Sequence, residues 1–144
     1  MTEAADPKLA KLLGQYLAAR PFAPALGVEV IAASKGSVTL EAPLTPPFEA
    51  PPGSFAASSV GALGDMAAML SVTSALPQGD AMSTMDFTVK MLGTARGPRL
   101  RAVGQAKQIG KTTCLGAADI FVGDGDSWTP CSILVATGRR VSLS

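Results

Sequence analysis

The sequence has no histidine, only two cysteines and almost no net charge, and each shortage excludes a class of function. Without histidine there can be no Ser-His-Asp or Cys-His nucleophile pair, no two-histidine zinc helix and no C2H2 zinc site. Chemistry near neutral pH then falls to carboxylates, hydroxyls, thiols, amines or backbone dipoles. Cys114 and Cys131 show no C-x-x-C spacing and read as free, buried thiols of a reducing cytoplasm. With 12 basic against 11 acidic side chains there is no field for gripping nucleic acid. The acidic start, Met1 to Asp6, lacks the basic region and apolar run of a secretory signal.

What is present is apolar: 47% of the 144 residues are hydrophobic, enough for one domain spanning residues 1–144. Asp6-Pro7 is a helix start, and Leu9, Leu12, Leu13, Tyr16 and Leu17 fall on one face of a helix over 7–20, stopped by Arg20-Pro21. The remaining core, 25–142, opens with a hairpin in which Leu26, Val28 and Val30 alternate with other residues, turns at Ser34-Lys35-Gly36, and continues through Val38 and Leu40. A proline-rich loop from Pro43 to Pro52 follows. Strands are expected around 83–91, 100–109, 112–122 and 128–141. The last hairpin turns near Gly125, so paired residues should sum to about 250. Cys114 would then face Ala136, and Cys131 would face Asp119, so the two thiols do not meet.

Between these strands lies Ser54 to Leu76, an apolar stretch whose one charge is Asp65. A central aspartate costs about 2.5–3.5 kcal/mol in a membrane span, so a helix buried in protein is the expected form. Asp65 is open to three readings: the N-cap of a shorter helix starting at Met66, the partner of an arginine across the core, or a carboxylate base or nucleophile with a pKa raised by burial. Other motifs fail. Gly110-Lys111-Thr112 lacks the upstream glycine of a P-loop, Gly123-Asp-Gly-Asp126 has neither dinucleotide-loop nor calcium-loop spacing, and no G-x-S-x-G is present.

Several segments in order resemble one family. Gly27-Val28, Leu40-Glu-Ala-Pro-Leu44, Pro52-Gly53-Ser54 leading into Val60-Gly-Ala-Leu-Gly-Asp65, Ser83-Thr84-Met85-Asp86-Phe87 and Gly110-Lys111-Thr112 are similar to hotdog-fold acyl-CoA thioesterases of the phenylacetate-degradation and 4-hydroxybenzoyl-CoA type. The resemblance implies an α+β hotdog fold, a long central helix wrapped by a curved antiparallel sheet, here with a short N-terminal helix. It implies a homodimer, or a dimer of such dimers, with sites at the dimer interface. In those sites Asp65 would attack the thioester or activate water, the Ser83 hydroxyl would orient that water, and the Ala57 N–H would polarise the carbonyl. Ala56, Ser58, Met66, Met69, Met82, Thr84, Lys90, Gly110 and Lys111 would border the substrate. Coenzyme A would enter as part of the substrate, with no metal or other cofactor and no nucleic-acid or membrane partner. Residues 86–144 hold 8 basic and 4 acidic side chains, so Lys90, Lys107, Lys111, Arg139 and Arg140 are candidates for its phosphates. Many relatives carry His-Gly-Gly where this chain has Ala56-Ala57-Ser58, and asparagine where it has Ala50. A hotdog-fold protein that binds acyl-CoA or a related ligand without turnover is the alternative; a dehydratase on this fold would ordinarily need a histidine.

Overall fold

A computed structural model describes residues 4–143; the acidic start at Met1–Glu3 and the terminal Ser144 lie outside them. Asp6 caps the first helix, α1 (Pro7–Ala18), by accepting the N–H groups of Lys8 and Leu9 at 2.9 and 3.2 Å. Leu13 and Leu17 bury its apolar face. A second short helix, α2 (Phe22–Leu26), was not expected from the strand-like alternation. Pro21 and Pro24 fix helical φ, and Gly27 ends the helix at φ 74°, so Leu26 closes a helix instead of opening a strand.

Six strands follow: β1 (Glu29–Ser34), β2 (Ser37–Pro43), β3 (Asp80–Met91), β4 (Arg99–Ile109), β5 (Thr113–Asp124) and β6 (Ser127–Ser142). They form one antiparallel sheet in the order β1-β2-β4-β5-β6-β3, so β3 is an edge strand. The β5–β6 hairpin is shifted from the expected register. The turn pairs Asp124 with Ser127, one step from the expected register, and Cys131 is an extra residue between Ser132, opposite Ile120, and Pro130, opposite Phe121, which adds a second step and places Cys114 opposite Gly138 instead of Ala136. Both thiols are buried and free, and burial pushes that of Cys131 up to about 11.

The long helix α3 (Ala57–Ala75) lies in the concave face of this sheet, the hotdog arrangement. Small residues let it come close. A side chain at Gly104 would overlap the Ala67 carbonyl, and one at Gly116 would press on the Ala68 carbonyl at 2.7 Å. Polar side chains then fix its rotation: Ser71 Oγ accepts the Val38 N–H at 3.0 Å and Ser74 Oγ that of Gly36 at 2.9 Å, while Thr73 Oγ1 accepts the Met82 N–H at 3.1 Å on the β3 side. Among the described residues no helix is long and apolar enough to cross a membrane.

Candidate active site

Asp65 lies in the third turn of α3, so it caps no helix, and among the described residues no cation pairs with it. Its partner is a neutral hydroxyl: Thr84 Oγ1 donates to Asp65 Oδ1 at 2.8 Å. Burial raises the carboxyl pKa above its ordinary value, and the Thr84 bond acts in the opposite direction by stabilising the anion. A half-buried carboxylate with one hydrogen bond from protein keeps lone pairs for a water or an electrophile.

The hydroxyl that bonds to Asp65 belongs to Thr84, not Ser83. Ser83, expected to orient water, is exposed and stands opposite Arg139, whereas Thr84 stands opposite Gly138 and turns toward α3. The cause is a bulge. Phe87 and Val89 flank Gly61 of α3, and counting back in twos from them would bring Met85 and Ser83 to the same face. The β3–β6 register shifts between Thr84 and Asp86, and the extra residue, Met85, reverses the phase so that Met82 and Thr84 face inward. No turn residue announces this bulge in the sequence.

At the other end of α3, the cap residue Ala56 has φ −59° and ψ 147° and supplies no side-chain bond. The Ala56 carbonyl takes the N–H groups of Ser59 and Val60, and the N–H groups of Ala57 and Ser58 have no acceptor among the described residues. They carry the partial positive charge of the helix start. A collar holds this end in place. Phe48 O accepts the Ala56 N–H at 3.0 Å and the Ser59 hydroxyl at 3.1 Å, and the Glu49 carboxylate accepts the Gly53 N–H.

Ala57 and Asp65 are eight residues apart on one helix, about 12 Å along its axis. An oxyanion donor and a nucleophile acting on one carbonyl must each lie within about 3 Å of it. A single chain therefore does not bring these two groups to the same thioester. The other expected residues are scattered. Met66 and Met82 are buried in the core, Met69 is half-buried on the Asp65 face, and Ser58 is exposed at the helix start. Lys90 is exposed at the C-terminal end of β3; Gly110 and Lys111 form the β4–β5 turn, where Gly110 N–H donates to Thr113 O at 3.1 Å. Arg140 is held by Asp80 at 2.7 Å, and Lys107 donates to Gln105 at 3.0 Å. Among the described residues no three cysteine or carboxylate side chains converge as a metal site requires.

No family model matches the sequence, and no curated protein matches it. By structure it is similar to a thioesterase family protein from Silicibacter pomeroyi, with a TM-score of 0.86, 21% identity, and coverage of 93% of this chain and 98% of that one. A thioesterase from Haemophilus influenzae superposes with a TM-score of 0.82 at 18% identity over 99% and 94% of the two chains. A phenylacetic acid degradation-related protein from Ralstonia eutropha gives 0.75 at 22% identity over 91% and 98%. The chain has the hotdog fold of these thioesterases.

Proposed function

We propose that the chain is an acyl-CoA thioesterase that works as a homodimer, with Asp65 of one copy and the Ala57 N–H of the other acting on the same thioester. The observation that carries this reading is the half-buried, unpaired Asp65 carboxylate, held by Thr84 on an edge strand and set about 12 Å from the helix start of its own chain. Its solved structural neighbours named as thioesterases support the reaction class.

The edge strand supports the dimer. β3 is 12 residues long, and its free side offers unpaired N–H and C=O groups beside exposed Met85, Phe87 and Met91. Two copies related by a twofold axis pair such edges antiparallel. The C-terminal half of one β3 then lies beside the N-terminal half of the other. Because Gly61 packs on Phe87 and Val89, the start of α3 travels with that C-terminal half and comes beside Thr84 and Asp65 of the second copy. Exposed Lys90 of one copy and Lys111 and Arg139 of the other flank the same junction and suit the phosphates of coenzyme A.

In the reaction, Asp65 takes a proton from water, or attacks the carbonyl carbon itself, and the oxyanion forms against the Ala57 N–H. Collapse breaks the C–S bond. A thiol of pKa about 8.5 leaves readily as thiolate, so no histidine is needed as general acid. In the water route the proton on Asp65 returns to solvent or to the thiolate, and the acid is released; in the direct route water hydrolyses the mixed anhydride formed on Asp65, releasing the acid and restoring the carboxylate.

The second reading, a binder without turnover, is favoured by the alanines at positions 50 and 56, whose methyl side chains can neither donate nor accept a hydrogen bond. One assay separates the two. Free thiol is followed while wild type and Asp65→Asn meet a panel of aliphatic and aromatic acyl-CoA esters. Hydrolysis that falls by about 10²-fold or more in Asp65→Asn supports the reading. Equal rates in both proteins remove Asp65 from its role; no turnover with measurable acyl-CoA binding makes the protein a binder.

A further inference from the structure

Of residues 59–75 in α3, all are buried except Ala62, Asp65, Met69 and the last three, Thr73 to Ala75. The spacing of Ala62, Asp65, Met69 and Thr73 is helical, so these half-buried residues form one stripe running from the carboxylate toward the C-terminal end of α3, which β3 touches through Thr84 and the Met82 N–H. Thr73 Oγ1 touches Met69 Sδ at 3.7 Å. Where the stripe ends, a cavity of about 660 Å³ opens between α1, the end of α3 and the 77–79 turn, and Thr73 is part of its wall.

The chemistry of that wall is one-sided. Leu9, Leu12, Tyr16, Leu76 and Leu143 line it, and its one charged side chain, Asp80, is held by Arg140 at 2.7 Å. Nothing in it recognises an ion, and its volume lies within the range of small-molecule sites. The distance from Asp65 to Thr73 is eight residues, about 12 Å. At about 1.25 Å per carbon, from ordinary C–C bond lengths, this is an extended chain of roughly nine or ten carbons.

Building on the thioesterase reading above, we propose that this cavity receives the distal end of a saturated acyl chain whose thioester lies at Asp65, with Met69 and Thr73 as the floor between them. The protein is then selective for medium-length, unbranched acyl groups, and the gap between α1 and α3 sets the length.

The test uses saturated acyl-CoA esters from butanoyl to tetradecanoyl with wild type, Leu12→Trp and Leu143→Trp. Leu12 and Leu143 are more than half exposed, so a larger side chain narrows the cavity without entering the core. In wild type, kcat/KM rises about three- to fourfold per added methylene until the cavity is filled. The decanoyl-to-butanoyl ratio of kcat/KM falls at least tenfold in Leu12→Trp, and S-decyl-CoA, a thioether that is not hydrolysed, binds more weakly to the same variant. A flat chain-length profile, or an unchanged ratio in both variants, overturns the cavity as an acyl site and leaves Asp65 in its role. No hydrolysis of any ester, with S-decyl-CoA still bound more tightly than S-ethyl-CoA and weakened by Leu12→Trp, keeps the acyl site and removes the thioesterase reading. Equal binding of the two thioethers, as when a second copy or another chain covers the cavity, overturns the proposal.

Discussion

Ala57→Pro deletes one N–H and very little else. Proline is favoured at the first helical position because its fixed φ suits the helix and its missing N–H had no intrahelical partner. Ala57 is that residue, and no acceptor for its N–H is present among the described residues. Ala56, at φ −59° and ψ 147°, already has the extended conformation that a following proline demands. The substitution therefore removes no hydrogen bond and no core contact, since the Ala57 side chain is exposed. The melting temperature should stay within about 2 °C of wild type. Removing one oxyanion donor costs about 10²–10³ in kcat, or about 2.7–4 kcal/mol of transition-state stabilisation, with KM little changed. The loss should also be rescued in trans. A doubly tagged heterodimer of Ala57→Pro with Asp65→Asn has one junction in which both groups are mutated and one in which both are intact, and should run at about half the wild-type rate per dimer. If Ala57→Pro hydrolyses thioesters within a few-fold of wild type, the helix-start amide is not the oxyanion donor. A heterodimer as inactive as its parents would mean that both groups act from one chain, which contradicts their separation along α3.

Two further predictions concern the fold around the site. The folded-state pKa of Asp65 lies above its ordinary value of 3.8 because burial disfavours the anion, so between those two values the folded protein holds a proton that the unfolded chain has lost. Stability then falls as pH rises through that window and stays lower above it. Asp65→Asn lacks this loss. It should melt higher than wild type near pH 7, with the gap closing below pH 4, and thermal scans showing a gap independent of pH would refute the assignment. Gly104→Ala forces a methyl onto the Ala67 carbonyl, where the rigid α3 backbone cannot yield easily. Overpacking of this kind costs about 1–3 kcal/mol, and the melting temperature should fall by about 5–10 °C; Gly93→Ala, with open space around it, serves as the unaffected control.

The order of elements was readable because each depends on local chemistry. Asp6-Pro7 starts a helix by itself, and the small, apolar residues of 57–75 suit only a helix surrounded by protein. The Asp65 singled out as one charge in an apolar stretch is the residue that the structure holds half-buried on a hydroxyl. What was not readable depends on the phase of strands. The bulges at Met85 and Cys131 each insert a residue that looks like its neighbours, and each changes which side chain faces α3 or which residue stands opposite. For that reason alone Thr84, and not Ser83, donates to Asp65. The α2 turn was missed because Leu26, Val28 and Val30 alternate as a strand would, while the conformation is decided by Pro21, Pro24 and Gly27. The cavity under α1 lies beyond local reading, since its walls come from residues 9–16, 73–80 and 143.

The missing histidine bears on how activity and assembly are linked. A site with a histidine beside its carboxylate can hold its acid–base pair within one chain, as the triad logic illustrates. Here the groups left are a carboxylate and a backbone amide, and one helix sets them about 12 Å apart. On the proposed function each copy would thus carry two half-sites, one centred on Asp65 and Thr84 and one on the open start of α3. On that proposal neither half would stabilise a transition state alone: the carboxylate would have no oxyanion donor, and the donor no base. The β3 edge that exposes Met85 and Phe87 to solvent is also the edge along which the halves would meet in the proposed dimer. In the proposed dimer the contact that buries this apolar edge would also complete the chemistry, and loss of that contact would remove both.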